Sequence, residues 1–233
     1  VLQQVRDLAR VIRNDYSRSQ SQSAEDQDVR DGEQAFFIEN TSWVFPRAES
    51  EYRRAIEGFE RYRDRLSDDD DRDAQFYARA DNLREWLAQV EKRLGSLTRR
   101  LGNSVAANRI NDDLAGDSVA EAAGPQPDTF NVRTSWFKTD DIFFEARGTA
   151  WALVHFFRAA EFDFAHVLQD KNAEASVRQI IRELEGTQEN VFSPIILNGS
   201  GFGLVANHSL VMANYVARAN AAIIDLRFLL TDG

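Results

Sequence analysis

The sequence has no cysteine and only four prolines among its 233 residues. The absence of cysteine excludes disulfide bonds, thiolate metal sites and a cysteine nucleophile, and it leaves the redox compartment open. A long hydrophobic run is also lacking, because the best candidate for a membrane span, residues 142–168, is interrupted by seven ionisable side chains. The sequence therefore predicts no transmembrane helix within these residues.

Positive charge is scarce as well. The chain has 28 Lys and Arg against 38 Asp and Glu, which gives a net charge of −10. Nucleic-acid binders need clustered basic side chains to displace the counterions of the phosphate backbone, so we expect no nucleic-acid partner. Apolar residues are abundant: 43% of the chain is hydrophobic and 16 residues are Phe, which is enough for a sizeable core.

Residues 1–16 are predicted to form an amphipathic helix. Val5, Leu8 and Ile12 follow one another at three- and four-residue steps, with charged side chains between them. Residues 17–34 contain almost no apolar side chain to offset the entropy of ordering, so they are predicted to be a polar linker.

Residues 35–101 are predicted to form an antiparallel helical hairpin. Its first helix, over residues 47–66, follows Pro46, a residue that suits the first turn of a helix. In its second helix, from Phe76 to Leu101, apolar residues recur at alternating steps of four and three. This spacing defines a heptad seam, which we expect the first helix to cover.

Residues 102–130 are small and polar, contain two prolines near their end, and are predicted to be a flexible connection. Residues 131–233 are predicted to form a hydrophobic helical core. One helix with Thr139 as its N-cap runs to about Asp170, and a last helix runs over 204–230. Both are apolar nearly all round, which places them at the centre of the fold. The predicted fold class is all-α, a bundle of about six main helices.

A short motif, aromatic-x-Ala-Arg-small, occurs three times in the chain, around Arg79, Arg147 and Arg218. One interpretation is that the three guanidinium groups converge on a shared anion or acidic partner. The alternative is that each Arg lies beside a small residue where helices approach closely and pairs with a neighbouring carboxylate. We favour the second interpretation.

The glycine-rich stretch LNGSGFG, at residues 197–203, precedes the last helix and is the best candidate for a ligand-binding loop. Its spacing does not match a dinucleotide-binding loop, and it has no Lys-Ser or Lys-Thr pair as a P-loop requires. A phosphate could bind there only through the N-terminus of the following helix. We favour a hinge as the interpretation of this stretch.

Four polar residues recur on one face of the last helix at spacings of seven, four and seven: Asn207, Asn214, Arg218 and Asp225. In an apolar helix, such a polar stripe must be hydrogen-bonded inside the fold, which we favour, or face a polar cavity. A ligand pocket, if present, is predicted at this stripe and the glycine loop. Its candidate residues are Gly199, Ser200, Gly201, Asn207, His208, Asn214, Arg218 and Arg147.

No catalytic or metal-binding constellation is complete in the sequence. Asp163, His166 and His155 lie near one face of a predicted helix, but the chain lacks the Glu-x-x-His and His-Glu-x-x-His spacings of helical metal sites. Ser200 does not fit the Gly-x-Ser-x-Gly nucleophile elbow. We therefore predict no metal and no cofactor, and we assign no catalytic residue.

The C-terminal half resembles a bacterial family, domain of unknown function 2333. The runs that carry the resemblance are FEARGTAWAL at 144–153, SVRQIIREL at 176–184, LNGSGFG at 197–203 and NHSLVMANY at 207–215. The resemblance covers most of the chain and is strongest over 131–230. Members of that family typically carry a hydrophobic N-terminal anchor. The resemblance thus implies that an anchor precedes Val1 and that this domain stands beside a membrane, on the periplasmic side, with the cytoplasm as the alternative.

No activity is carried over from that family, so the function is predicted from the residues. We expect a non-enzymatic, membrane-associated envelope domain that works by contact with a protein partner or with further copies of itself. The heptad seam and the aromatic residues around Trp43 and Trp136 motivate this expectation. The alternative is an envelope hydrolase or a small-ligand-binding protein that uses the glycine loop and the polar stripe.

Overall fold

The computed structural model describes residues 1–19, 23–42, 46–67, 73–104, 107–110, 129–132, 134–200 and 203–231, and for 107–110, 129–132 and Trp136 it describes the backbone alone. These residues form eight α-helices, a π-helical segment and one two-stranded antiparallel ladder. The elements are α1 Leu2–Val11, the π-helical segment Ile12–Tyr16, α2 Gln27–Phe36, α3 Ala48–Leu66, α4 Ala80–Gly102, β1 Ala107–Ile110, β2 Thr129–Val132, α5 Trp136–Asp163, α6 Ala165–Asp170, α7 Glu174–Gly186 and α8 His208–Leu229. The all-α class is confirmed, with eight helices in these ranges where about six were expected.

The core is built from α4, α5, α7 and α8, and α8 packs against the other three. Along α4, Glu91 pairs with Arg227 of α8, and Gly95 lies next to Asn220, so these two helices are antiparallel. One face of α8 is buried along its whole length, through Met212, Val216, Ala219, Ile223 and Leu226. The expected central position of the last helix is therefore confirmed.

The heptad seam of α4 is buried, as its spacing predicts. Its members Leu83, Leu87, Val90, Leu94, Leu97 and Leu101 all lie in the main hydrophobic core. The predicted hairpin is nevertheless wrong, because α4 packs on α8 while α3 packs on α2. A heptad seam requires an apolar covering surface without specifying which helix supplies it. The apolar face of α8 covers the seam, whereas α3 buries only small residues and one Tyr.

The second predicted helix also begins later than expected. Phe76, the first residue assigned to the seam, lies in a non-helical segment before α4. Its ring packs edge-on against Tyr16, with 5.2 Å between centroids, and against Phe164, at 5.9 Å. Phe76 therefore joins the end of the N-terminal helices to the core.

Part of the predicted polar linker 17–34 is helical, because α2 occupies 27–36. The carboxylate of Asp26 caps this helix by accepting hydrogen bonds from the N–H groups of Asp28 and Val29, at 3.0 and 3.1 Å. Val29 is completely buried. The linker prediction is wrong here because it assumed that the charged residues are solvated. Glu33 instead pairs with Arg13 at 2.9 Å.

Two glycines allow α2 and α3 to cross closely. A Cβ atom added at Gly58 would lie 2.9 Å from the backbone oxygen of Asp28 and 3.4 Å from Cα of Gly32. A Cβ atom at Gly32 would in turn lie 3.0 Å from the ring of Phe59. The pair α2–α3 forms a layer that packs on the core through α1.

The connection predicted at 102–130 is bounded by regular structure. Helix α4 continues through Gly102, and β1 pairs with β2 in the register Ala107↔Val132 to Ile110↔Thr129. The prediction of a flexible connection is therefore wrong at its two ends, where backbone hydrogen bonds pair β1 with β2. Residues 105–106 and 111–128 lie outside the described ranges.

The long helix predicted from Thr139 is shifted and broken. Helix α5 begins at Trp136 with Ser135 as its N-cap, and the hydroxyl of Thr139 donates to the Ser135 carbonyl, so Thr139 is not the cap. The helix ends at Asp163, and Phe164 separates it from α6. Among the described helices, none combines the length and hydropathy needed to cross a bilayer.

Candidate functional site

The glycine-rich stretch forms a loop whose two ends are paired. His208 donates its backbone N–H to the Leu197 carbonyl at 2.8 Å, and the imidazole Nδ1 of His208 accepts the Leu197 N–H at 3.1 Å. One step further into the loop, Gly199 donates to the Ala206 carbonyl at 3.0 Å. These three hydrogen bonds tie the loop across its base, and in one of them the acceptor is the side chain of His208, which was predicted to belong to the site.

Gly199 is required by close packing within this loop. A Cβ atom at this position would collide with the backbone oxygen of Val205, so no other residue fits here without a shift of the backbone. The glycine therefore permits two backbone segments to meet, which is a structural role different from cradling a phosphate. Ser200 follows within the loop, and Gly201 lies outside the described residues.

Asn207 joins the loop to α8. Its Oδ1 accepts the N–H of Leu210 at 2.8 Å, which caps the helix, and its Nδ2 donates to the Gly199 carbonyl at 2.6 Å. The side chain is mostly buried. Asn207 is therefore hydrogen-bonded inside the fold, as one of the two interpretations of the polar stripe requires.

The rest of the polar stripe lies on the protein surface. Asn214, Arg218 and Asp225 are exposed, on the side of α8 opposite the core. Arg218 pairs with Glu183 of α7 at 2.7 Å and lies over the ring of Tyr215, 4.8 Å from its centroid. The stripe therefore neither forms one internal network nor lines a polar cavity, because the exposed side of α8 tolerates polar side chains without burial.

The three arginine motifs have separate partners. Arg79 pairs with Asp81 at 2.5 Å, and Arg218 pairs with Glu183. Arg147 donates to the backbone carbonyl of Gln188 at 2.8 Å, and the side-chain amide of Gln188 donates back to the Arg147 carbonyl at 3.0 Å. Local pairing thus describes these arginines, and a common anion site does not.

A groove of about 360 Å³ opens beside the glycine loop. Its walls come from α5, the end of α7, the segment after α7 and the start of α8, and its main lining residues are Phe143, Val191, Phe192, His208, Met212 and Tyr215. Of the candidate residues that the structure describes, His208 alone lines it. The groove has room for a small ligand, but its walls are mainly apolar and aromatic.

The histidines of the metal hypothesis do not form a metal centre in the described residues. His155 packs edge-on against Trp151, with 4.6 Å between ring centroids, and His208 is hydrogen-bonded to the loop. No three Asp, Glu or His side chains in the described parts of the chain are placed to hold one ion.

The feature that sequence reasoning missed is a row of exposed aromatic side chains on α5. Phe137 is 89% exposed, Phe144 57%, Trp151 49% and Phe162 83%. His155, exposed between the last two, belongs to the same row. We call these five residues the aromatic stripe.

The stripe is straight because of its spacing. Its members follow one another at steps of seven, seven, four and seven residues. A seven-residue step falls about 20° short of two helical turns, and a four-residue step exceeds one turn by about 40°. The five side chains therefore leave the helix axis within an arc of about 40°. The spacing is visible in the sequence. Because α5 has apolar residues on every side, however, the sequence does not show which side is buried and which is exposed.

The fold and its surface define an all-α bundle with an aromatic face on one long helix. The chain belongs to a family described as uncharacterized protein conserved in bacteria (DUF2333), whose model matches residues 1–233. This match confirms the resemblance seen in the sequence. No curated protein and no solved structure matches the chain significantly.

Proposed function

We propose that this chain is a non-enzymatic, membrane-associated envelope domain that works by protein–protein contact. The observation that carries the proposal is the aromatic stripe of α5. From Phe137 to Phe162 it extends over about 37 Å, at 1.5 Å of helix rise per residue. Trp43 and Trp136, which motivated the same function in the sequence, lie outside the described side chains.

The stripe has the composition of a contact surface. Aromatic side chains are enriched at protein interfaces, where they bury a large area while losing few rotatable bonds. Single apolar residues scattered over a surface are ordinary, whereas several large aromatic side chains aligned on one helix face are typical of a place of interaction. A partner helix with apolar residues at heptad spacing would cover the row along its full length.

The arrangement of the other candidate residues supports a structural role for them. Arg147 ties α5 to the segment after α7, Arg218 ties α8 to α7, and Asn207 ties the glycine loop to α8. These three side chains connect neighbouring elements, and each is hydrogen-bonded to a different partner in a different part of the fold. Their placement favours a binding domain over a hydrolase that would bring them to one reacting group.

Membrane association and a periplasmic position are part of the proposal, with family membership as their support. A gene-length protein tagged at its C-terminus should sediment with membranes and resist extraction by high salt. Its domain should be digested by protease added to spheroplasts and protected in intact cells. Recovery of the gene-length protein in the soluble fraction would contradict membrane association.

Contact through the stripe can be tested in bacterial cells that produce the gene-length protein. A photo-crosslinking amino acid at Phe144 should give a discrete crosslinked product whose second component is identified by mass spectrometry. The matched control is the same amino acid at Phe228, which is 70% exposed on α8 and outside the stripe. No product at Phe144, or equal products at both positions, would contradict the proposal.

A second candidate function is small-ligand binding, which the groove beside His208 favours. Because Nδ1 of His208 accepts a backbone N–H, its Nε2 is the nitrogen that carries the proton. An apolar ligand with one hydrogen-bond acceptor would match this lining. Screening such compounds for a rise in melting temperature that His208→Ala abolishes would test this candidate.

A further inference from the structure

The exposed face of α5 has an internal symmetry. Phe137 and Phe162 lie at equal distances from a point between Thr149 and Ala150, and so do Phe144 and His155. Trp151 lies next to that point. The two outer rings are also exposed to a similar extent, 89% and 83%. The order and spacing of the exposed rings are therefore nearly the same in both directions along the helix.

We propose that the partner of the aromatic stripe is the stripe of a second copy of this chain, with the two α5 helices antiparallel about a twofold axis that crosses the stripe midway between Phe144 and His155. This inference rests on the proposed function and names its partner. A twofold interface brings the same patch of both subunits together, so a row that reads alike in both directions is self-complementary. Phe137 would lie against Phe162 of the second copy, and Phe144 against His155.

Charge selects the antiparallel direction. Asp140 and Arg158 lie on the same flank of the stripe, because eighteen residues are five full helical turns. In the antiparallel pair, Asp140 of one copy faces Arg158 of the other, twice. A parallel pair would instead place Asp140 beside Asp141 of the second copy, on the opposite flank, and like charges would meet.

Arg158 is able to make this second contact. It already pairs with Glu185 of its own chain, yet its side chain is 55% exposed. A guanidinium group has five N–H donors, so it can bind two carboxylates at once. Asp140 is exposed at the first turns of α5, where its carboxylate is free to approach the second copy.

The two indoles meet at the centre of the stripe. On each copy, Trp151 lies on one side of the twofold axis, so the two indoles are neighbours about that axis. Gly148, one turn before Trp151, faces Val1 of its own chain, whose backbone nitrogen lies 3.5 Å from the position that a Cβ atom on Gly148 would take. The second copy would therefore meet Trp151 on one flank and Val1 on the other.

The buried area predicts a dimer of moderate strength. The exposed portions of the four Phe and Trp rings amount to nearly three complete aromatic side chains, or about 500 Å² per copy. A stable interface buries about 800 Å² on each partner, so flanking residues must contribute and the dimer should dissociate on dilution.

Sedimentation velocity over about 1 to 500 µM tests the association, with concentrations spanning the range expected for such an interface. The wild-type sedimentation coefficient should rise from monomer to dimer. Phe162→Ser should abolish the rise, and Phe228→Ser, an equally drastic change outside the stripe, should leave it. A monomer at every concentration would overturn the inference.

A charge exchange tests the direction of packing. Asp140→Arg and Arg158→Asp should each raise the dissociation constant about tenfold or more, because each places two like charges opposite one another. The double variant restores opposite charges and should return the dissociation constant to within about threefold of wild type. Additive losses in the double variant would overturn the antiparallel pairing. Melting temperatures of all three variants show whether the monomer remains folded.

Because the chain has no cysteine, single cysteines map the pairing directly. A mixture of Phe137→Cys and Phe162→Cys chains should form a mixed disulfide, while each variant alone keeps its two thiols about 37 Å apart. A disulfide between two copies of Phe137→Cys would instead establish the parallel arrangement.

Failure of this inference is distinguishable from failure of the proposed function. A strictly monomeric protein that crosslinks through Phe144 to a different, identified protein in cells would overturn the second copy as partner and keep protein–protein contact. No crosslink in cells, whatever happens in solution, would contradict the proposed function.

Discussion

Arg65 and Asp26 fasten the end of α3 to the start of α2. Nη2 of Arg65 lies 2.9 and 2.8 Å from Oδ1 and Oδ2 of Asp26, and both side chains are mostly buried. The same carboxylate caps α2 by accepting the N–H groups of Asp28 and Val29. One side chain therefore has two roles that substitution can separate.

Replacing Asp26 by Asn or by Ala should measure the two roles independently. Asn retains an N-cap oxygen but loses the charge that binds Arg65, so Asp26→Asn should lower the free energy of unfolding by about 1–2 kcal/mol. Ala loses the cap as well, and Asp26→Ala should cost about 1 kcal/mol more. Urea denaturation of the three proteins gives both values, and equal losses for the two variants would show that the cap contributes nothing.

The crossing of α2 and α3 predicts opposite effects for two Gly→Ala substitutions. Gly58→Ala places a methyl group 2.9 Å from the Asp28 backbone oxygen, so the helices must separate at a cost of about 1–3 kcal/mol. Gly95→Ala in α4 meets its nearest atom, in Asn220, at 3.8 Å, and it should stabilise the protein by about 0.5–1 kcal/mol through helix propensity. Melting temperatures that move in the same direction would contradict this account.

Asp15 should make stability depend on pH. Burial raises the pKa of Asp15 above its ordinary 3.8, and the nearby charges of Glu85 and Asp81 add to the shift. The folded state therefore binds the proton more tightly than the unfolded state, so ionised Asp15 opposes folding as pH rises above the unfolded pKa. Asp15→Asn should stabilise the protein at pH 7, and the gain should disappear near pH 3.

Asp31 supplies a control of opposite sign for that experiment. A hydrogen bond from Gln27 and the neighbouring Arg30 lower the pKa of this exposed carboxyl. Its contribution to stability is present at neutral pH and is lost as pH falls through the folded pKa. Asp31→Asn should therefore be neutral or slightly destabilising at pH 7. A gain of equal size in both variants would indicate a general effect of net charge.

The glycine loop predicts a local response to Gly199→Ala. The added methyl group would collide with the Val205 carbonyl, and the hydrogen bonds at the base of the loop should break. Amide protons of Gly199 and His208 in wild type should exchange slowly, and the His208 proton should exchange faster in Gly199→Ala. Gly102→Ala, which meets no atom within 4 Å, should leave that rate unchanged.

Helix positions and buried faces were largely predictable because they depend on local spacing. The seam from Leu83 to Leu101 is buried as its four- and three-residue steps require. The pairing of helices was not predictable in the same way. Apolar seams on α4 and α8 are compatible with several partners, and the choice depends on side-chain volumes and on ion pairs such as Glu91–Arg227.

Helix α2 was missed because its stabilising contacts are distant in sequence. Glu33 and Asp26 appear as solvated charges in a polar segment, but Arg13 and Arg65 meet them from other elements. The glycine loop was located correctly as a distinct feature, while its closed base depends on His208 folding back to Leu197. The spacing of residues along the chain does not predict that the His208 side chain contacts Leu197.

The position of α8 has a consequence for synthesis. Every other core helix precedes it in the chain, and its apolar face completes the burial of α4, α5 and α7. During translation, the Leu seam of α4 must remain without its native cover until more than a hundred further residues have been added. Nascent chains of this protein should therefore depend on a holding chaperone until residues 208–229 leave the ribosome.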